Sequence, residues 1–348
     1  MSEEWALQPA IRSYIDEVFA LLLTHALRRD AVDSVALRAE AEDRLRATAT
    51  IPETYPTIRL LLERLGDHHS YFITPDDAES AADKHPQTPP SGHLITMETV
   101  ESTAATRSET LPLGNHVAPE TVKNATTRSE IPPSGHLIAY IAVPSIDGDG
   151  ATAQSYAEQM QTLIRTFDTG GSAGWVVDLR GNTGGNMWPM LAGLGPLLGD
   201  GELGAFVYPD GATESWEYRA GKATLDGWPM LTIASPHTLA HAAPPIAILQ
   251  EARTRSSGEL VALAFHGVPH TRTFGMPTAG VPTANAPFLL SDGAVIMLTV
   301  ARGADRLGNA FDAPLGPDHP IPQDDVYEAT DHAMQAASSW LASVLSDE

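Results

Sequence analysis

The sequence contains no cysteine among its 348 residues, which excludes disulfides, thiolate nucleophiles and cysteine-ligated zinc. Basic residues are also scarce, because 21 Lys and Arg stand against 44 Asp and Glu and leave a formal net charge of −23. Such a chain repels phosphate backbones and anionic lipid headgroups, so we expect neither nucleic acid nor a membrane as a partner.

Long apolar segments are missing as well. No run approaches the roughly 18 residues of a membrane-spanning helix. The opening MSEEWALQPA is acidic and polar where a secretion signal is basic and then apolar. We therefore expect a soluble protein with a cytoplasmic location.

Hydrophobic residues nevertheless make up 43% of the chain, enough for one large or two ordinary domains with a buried core. Apolar residues at helical spacing predict helices over 4–28, 33–47 and 55–65. We interpret residues 1–75 as an N-terminal helical bundle.

The next segment, 76–135, is rich in Pro, Ser, Thr and Glu and repeats itself. The stretch TPPSGHLITMETVESTAATRSE is followed by the related TLPLGNHVAPETVKNATTRSE, and IPPSGHLI opens a third, partial copy. Two and a half copies are too few for a solenoid. We interpret the segment as a duplicated cap or linker insertion without a PDZ-like module. Duplication, rather than metal binding, explains the recurrence of His93, His116 and His136.

From 136 onward, strand and helix patterns alternate. The predicted strands are 136–144, 174–180 and 245–252, with a hairpin over 288–301 that turns at Asp292-Gly293. The predicted helices are 150–168, 187–199, 257–266 and one from about 325. This order predicts an α/β core over 136–348, with a mixed, partly parallel sheet and flanking helices. Functional sites of such sheets lie beyond the carboxyl ends of the strands.

One strand end has the residues of a serine nucleophile site. In PIAILQEARTRSSGELVALAF, an apolar strand ends at Gln250 and a helix begins near Ser257, so Ser256 lies in the turn between them. The free N–H groups and the dipole of a helix N-terminus favour negative charge developing there. The alternative is that Ser256 or Ser257 only caps the helix, with Glu259 completing a capping box. The local sequence is consistent with both.

The other strand end, in VVDLRGNTGGN at 176–186, is followed by a glycine-rich segment. Glycine reaches positive φ and lets a bare N–H approach a substrate carbonyl. Gly185, just before Asn186 as an expected helix N-cap, is the best placed oxyanion donor. An ordinary glycine-rich turn and a phosphate loop are the alternatives, although GNTGGN fits neither the dinucleotide fingerprint nor the P-loop with its Lys.

These motifs together resemble those of the C-terminal processing peptidases and the tricorn core protease. That family shares D-L-R-x-N-x-G-G, T-x-S-[AS]-[SG]-E and G-x-P-T-x-G, and this chain has VVDLRGNTGGN, ILQEARTRSSGE and FGMPTAG in the same order over about 136–320. The resemblance implies the crotonase-like, ClpP-like core of tail-specific proteases and a serine peptidase that needs no metal or cofactor. It implies Ser256 as the nucleophile, the N–H groups of Gly185 and Ser257 as the oxyanion hole, and Gly184 and Asn182 as substrate-binding residues.

Two departures from the pattern matter. Val281 stands where the processing peptidases carry a Lys base, which rules out a Ser–Lys dyad at that position, and Arg255 stands where the family usually has Ala. The Ser–His branch, which includes tricorn and the nisin-resistance proteases, takes its base from the N-terminal side. LGDHHSYF at 65–72 resembles that element and implies His69 as the base, with His68 as its competitor.

The group that would orient the imidazole is less specified. Asp312 is the candidate, Asp318 and Asp67 are its rivals, and a plain dyad stays open. The stretch from 277 to 309 also resembles the nisin-resistance type more than the processing type.

We therefore predict a serine endopeptidase acting on an unstructured or cationic peptide, and a homo-oligomer is expected because related proteases often assemble. The alternatives are a catalytically silent peptide-binding or immunity protein on the same fold, a structural role in an oligomer and an esterase of the α/β-hydrolase type. That esterase would use Ser256, Asp292 and His319, but its G-x-S-x-G elbow is missing.

Overall fold

The computed structural model describes residues 7–84, 128–130, 137–321 and 331–346. The described residues belong to two compact units. One unit takes in 7–84, 208–212 and 284–301, and the other takes in the remaining described segments. Of the predicted insertion only 76–84 and 128–130 are described, so His93, His116 and His136 lie outside the described residues.

The first unit contains the predicted N-terminal helices with tighter bounds. They are Pro9–His25 (α1), Ser34–Arg44 (α2) and Tyr55–Leu65 (α3), joined by 3₁₀ turns at Arg29–Ala31 and Ile51–Thr54 and followed by Pro75–Lys84 (α4). Pro9 starts α1 because its fixed φ suits a first helical position. The carboxylate of Asp33 caps α2, and Gly66 ends α3 in the left-handed region, with φ +67°.

A hairpin completes the first unit. Its strands are Thr283–Leu289 (β11) and Val295–Asp305 (β12), and β12 runs on into the second unit. Tyr71–Ile73 (β1) pairs antiparallel with the start of β12. The predicted turn at Asp292 is held by α1 and α3, because the Asp292 carboxylate accepts hydrogen bonds from the hydroxyls of Tyr14 (2.9 Å) and Tyr55 (2.7 Å).

The second unit is built on a six-stranded sheet. Its strands in chain order are Arg128–Glu130 (β2), Leu137–Ala142 (β3), Ser172–Asp178 (β4), Ile246–Gln250 (β9), Thr271–Gly275 (β10) and His319–Pro320 (β14). The spatial order is β14-β10-β9-β4-β3-β2, and every neighbouring pair is parallel except β2 with β3. The predicted mixed, partly parallel α/β core is confirmed.

Four helices of the second unit flank this sheet: Gly150–Thr169 (α5), Met187–Leu198 (α6), Ser257–Phe265 (α7) and His332–Ser346 (α8). Apolar residues of α8 pack on β4, β9 and β10, where Leu341 and Ala337 are fully buried with Val176 and Leu249. The face of the sheet that lies under α8 is therefore a principal part of the core.

An antiparallel meander in the second unit was not predicted. It consists of Gly201–Val207 (β5), Thr213–Arg219 (β6), Lys222–Leu225 (β7) and Trp228–Thr232 (β8), which pair in chain order. Glu and Lys along these strands interrupt the apolar pattern. Trp216 and Tyr218 bury the inner face of β6, and that alternation was the available signal.

The DLR motif ties α8 to the sheet. The Arg180 guanidinium donates to both carboxylate oxygens of Asp331, at 2.9 Å each, and to the carboxylate of Asp178 at the end of β4. Tyr140 on β3 donates its hydroxyl to the same Asp178, at 2.7 Å. This partly buried bidentate geometry is the strong form of an Arg–carboxylate pair.

Leu341→Ala tests the contribution of α8. Removing a fully buried leucine is expected to lower the free energy of unfolding by about 2–5 kcal/mol, measured by denaturant titration. Ser339→Ala, at an exposed position of the same helix, serves as the control and is expected to change it by less than about 0.5 kcal/mol. Equal stabilities of the two variants would contradict the packing described for α8.

Candidate active site

The two motif-bearing strand ends meet at one edge of the sheet. β4 and β9 are adjacent and parallel, with Asp178 opposite Leu249. The chain stays paired just past both strands, because the Leu179 N–H donates to the Leu249 carbonyl at 2.9 Å. The glycine loop after β4 and the serine turn after β9 therefore start side by side.

Ser256 occupies a strained position at the start of α7. It is the N-cap residue with φ +53° and ψ −120°, a left-handed conformation that is rare outside glycine. Its side chain is half-buried, and its backbone N–H donates to the Glu259 carboxylate at 3.0 Å. Such strain in a strand-to-helix turn is typical of an exposed nucleophile. Ser256 is thus a capping residue and a nucleophile candidate at once.

The Glu259 carboxylate is fully buried and holds this turn in place. One oxygen accepts from the Thr278 hydroxyl and the Gly280 N–H, and the other accepts from the N–H groups of Val281 and Ser256. Burial raises the pKa of Glu259, whereas these hydrogen bonds act to lower it. The Glu259 side chain thereby joins the turn that contains Ser256 to the G-x-P-T-x-G loop.

Sequence reasoning treated Glu259 only as half of a capping box and missed this wider role. The available signal was that the family pattern contains both residues. Glu259 ends the T-x-S-[AS]-[SG]-E motif, and its partner Thr278 is the Thr of P-T-x-G.

The glycine loop is tied to the serine turn by three hydrogen bonds. The Arg255 N–H donates to the Asn182 carbonyl, the Thr254 hydroxyl to the Leu179 carbonyl, and the Ser257 hydroxyl to the Gly185 carbonyl. These bonds fix the distance between the two loops.

The N–H groups predicted for the oxyanion hole are uncommitted. Gly185 has φ +100° and forms a parallel bridge with Ile146, in which the neighbours of Gly185 make the hydrogen bonds. Within the described part of the chain, neither the Gly185 N–H nor the backbone N–H of Ser257 donates a hydrogen bond. Both donors lie beside Ser256, as stabilisation of a developing oxyanion requires.

Glycine at 185 is also required for space. A Cβ at this position would stand 2.1 Å from the Ile146 carbonyl oxygen. The close approach of these two backbones therefore needs a residue without a side chain.

Gly184 and Asn182, predicted to bind substrate, are buried instead. The Asn182 amide donates to the Val143 carbonyl at 2.9 Å, and its oxygen accepts from the Gly184 N–H. A Cβ on Gly184 would lie 2.9 Å from the Cβ of Ser256. Both residues therefore hold the glycine loop against the serine turn, and a contact of either one with substrate stays a prediction.

The loop that carries His69 belongs to the first unit and has its own supports. The Asp67 carboxylate accepts from the N–H groups of His69 and Ser70 and from the Ser70 hydroxyl. The Asn285 amide donates to the His69 carbonyl at 2.9 Å, and Thr299 donates to Asn285. The backbone of His69 is therefore anchored from both sides.

Within that loop, His69 is half-buried, whereas its competitor His68 is exposed and has φ +55°.

The other predicted residues have the following places. Asp318 accepts from the N–H and hydroxyl of Thr273, at 2.9 Å each, and Asp312 is exposed just after Ala310–Phe311 (β13). Val281, at the position of the missing Lys, is buried, and its N–H donates to Glu259. The sequence-based exclusion of a lysine base here agrees with a site that encloses an apolar side chain.

Among the residues that the structure describes, no helix has the length and apolar character needed to cross a membrane. No group of three or more His, Asp or Glu side chains among them is arranged to hold a metal ion. The cytoplasmic location and the expected partners stay predictions.

An α/β core with a strained serine beside uncommitted backbone N–H groups defines the class of serine hydrolases that use a backbone oxyanion hole. The model of peptidase family S41 matches residues 137–321, more than half of the chain. The chain belongs to this family, and the resemblance found from its motifs is confirmed.

A curated relative and two solved structures agree with this assignment. The nisin-resistance protein of Lactococcus lactis subsp. lactis is 33% identical over 204 residues, which are 58% of this chain and 59% of the relative. The chain thus matches less than two thirds of that protein's length.

A lipoprotein from Streptococcus agalactiae superposes with a TM-score of 0.65 at 22% identity, covering 97% of this chain and 98% of the other. The photosystem II D1 C-terminal processing protease gives 0.59 at 16% identity, covering 97% and 98%. At these identities the two structures establish a shared fold.

Glu259→Ala tests the buried carboxylate. The substitution leaves four donors without an acceptor and is expected to lower the free energy of unfolding by about 3 kcal/mol or more, measured by urea denaturation. Glu202→Ala, at an exposed position on β5, should change it by less than about 0.5 kcal/mol. The proposed role of Glu259 is wrong if both variants unfold at the same urea concentration.

Proposed function

We propose that this protein is a serine endopeptidase that cleaves unstructured or cationic peptides, with Ser256 as nucleophile and His69 as general base. The observation that carries the proposal is the pair of uncommitted N–H groups, of Gly185 and Ser257, beside a strained Ser256. Membership of a peptidase family supports the same chemistry.

The mechanism follows from these roles. His69 removes the proton of the Ser256 hydroxyl, whose oxygen attacks the substrate carbonyl carbon. The resulting oxyanion accepts hydrogen bonds from the Gly185 and Ser257 N–H groups. His69 then gives its proton to the leaving amine, and water releases the acyl group from Ser256.

The assignment of the base is supported by elimination and by resemblance. Val281 cannot act as a base, and the 65–72 motif matches the histidine element of the Ser–His branch. An anchored backbone, of the kind that Asp67 and Asn285 give His69, suits a general base whose position must be reproducible.

For the orienting group we propose Asp312. Its rivals have other functions, because Asp67 binds the loop backbone and Ser70, and Asp318 binds Thr273.

Two of the alternatives lose support from the described contacts. The backbone of Arg255 keeps the contacts of the serine turn, because its N–H donates to the Asn182 carbonyl and its carbonyl accepts from the Gly258 N–H, as an Ala at this position would also do. This removes one reason for a catalytically silent protein. The esterase needs Asp292 as its acid, but that carboxylate is bound by Tyr14 and Tyr55 in the hairpin turn.

Labelling with a fluorophosphonate probe tests the nucleophile and the base. Wild type is expected to be labelled on Ser256, identified by mass spectrometry, and Ser256→Ala should not be labelled. His69→Ala should slow labelling and peptide hydrolysis about 1,000-fold or more, whereas His68→Ala should retain both. An unlabelled wild type that cleaves no peptide of a mixed-sequence library would refute the peptidase proposal. Loss of labelling in His68→Ala alone would transfer the base to His68.

Gly185→Ala tests the oxyanion hole. A side chain here collides with the Ile146 carbonyl and displaces the N–H, so turnover of a cleaved peptide should fall about 100- to 1,000-fold. Gly181→Ala is the matched control, because Gly181 also has positive φ (+75°) but has open space around it. The control should lose about 1 kcal/mol of stability and retain its turnover. Circular dichroism checks that both variants fold, and normal turnover in Gly185→Ala would reject the assignment.

A further inference from the structure

An unpaired carboxylate lies beside the proposed oxyanion hole. A Cβ built on Gly185 would stand 2.4 Å from Oδ1 of Asp147, in the loop that follows β3. Since a bond between tetrahedral carbons is about 1.5 Å long, this oxygen lies within about 4 Å of the Gly185 Cα. Among the described residues, none donates a hydrogen bond to the Asp147 carboxylate and none forms an ion pair with it.

The neighbouring aspartate shows that this isolation is specific to Asp147. Asp149 accepts a 2.6 Å hydrogen bond from the Asn186 amide, and Asn186 caps α6. Asp149 therefore has a structural partner that fixes the glycine loop. Asp147, in the loop that follows β3, has no such partner among the described residues and stays accessible to solvent although its carboxylate lies against Gly185.

The environment of Asp147 disfavours its charge. Loss of hydration beside the protein surface raises the pKa of Asp147 to about 7, and no favourable contact offsets this effect. An ionised carboxylate at this position also opposes the negative charge that forms on the substrate oxygen at the Gly185 N–H. An unpaired, ionised Asp147 would therefore slow the reaction. A cation bound to this carboxylate would cancel the repulsion.

We propose that Asp147 is a specificity residue that pairs with a cationic group of the substrate, a Lys or Arg side chain or a free amine, next to the scissile bond. This inference rests on the proposed peptidase function and identifies which residue reads the charge of the peptide. The cation neutralises Asp147 and so removes its repulsion of the oxyanion.

The geometry suits such a contact. A carbonyl oxygen bound to the Gly185 N–H brings the residues beside it close to Asp147, and the apolar stem of Lys or Arg is long enough to carry its charge across the remaining gap. The net charge of −23 attracts cationic peptides to the protein as a whole, but only a local carboxylate can distinguish one residue position of the peptide from the next.

Matched peptides test the proposal. A quenched-fluorescence peptide that the wild type cleaves is first taken from a mixed-sequence library, and mass spectrometry locates the scissile bond. Lys, norleucine and Glu are then placed in turn at each position flanking that bond. Norleucine has the length of Lys without its charge, so the ratio of kcat/KM for Lys over norleucine isolates the charge.

At one flanking position, we expect this ratio to be about tenfold or more in wild type and close to one in Asp147→Asn, with Glu cleaved most slowly by wild type. Glu202→Gln changes the net charge by the same amount at a remote exposed position and should leave the ratio at its wild-type value. As a second readout, the wild-type ratio should fall as the salt concentration rises, because an exposed ion pair is screened.

The outcomes separate the two proposals. If wild type cleaves peptides but Asp147→Asn keeps the full Lys preference, the specificity role is wrong and the peptidase stands. A wild type that has no Lys preference at any flanking position also overturns the specificity role. If wild type neither cleaves a peptide nor reacts with the fluorophosphonate, the peptidase proposal fails and the specificity role fails with it.

Discussion

The candidate site depends on one buried carboxylate. Glu259 has its charge inside the protein, where it would be costly without partners, and it collects four donors from two separate loops. These two loops carry family motifs that are about twenty residues apart in the chain. The strained backbone of Ser256 persists because its N–H is one of these donors. Local strain at the candidate nucleophile is thus stabilised by a buried polar network rather than by the turn itself.

Backbone proximity is the second constraint. The loop after β4 lies so close to the serine turn and to the 146–147 segment that neither Gly184 nor Gly185 has room for a Cβ. The two glycines have different functions: Gly184 permits contact with Ser256, and Gly185 permits the bridge to Ile146 and keeps its own N–H uncommitted. The glycine-rich motif therefore marks the positions at which two backbone segments come into contact. It also marks the position at which a substrate carbonyl could bind.

Much of this arrangement could be predicted from the sequence. The parallel strands were readable because four of the five residues of β9 are apolar and β4 is almost wholly buried, and strand ends in such a sheet meet at one edge. The meander could not be read in the same way, since charged residues on its outer face break the apolar pattern. The contacts by which Gly184 and Asn182 hold the loop could not be predicted, because a sequence motif marks residues near a substrate without separating those that touch it from those that support the loop. Asp147 carries no motif, and only its distance from Gly185 distinguishes it.

The hydrogen bonds of Arg180 show that the region matched by the family is shorter than the unit that folds together. The family match ends at 321, yet Arg180 of the D-L-R motif divides its hydrogen bonds between Asp178 inside that match and Asp331 beyond it. The helix that begins at His332 also covers apolar residues of the central strands. A fragment that contained only residues 137–321 would keep the serine turn but would expose the face of the sheet that α8 covers. The last helix is therefore as much a part of the folded domain as the strands that precede the family motifs.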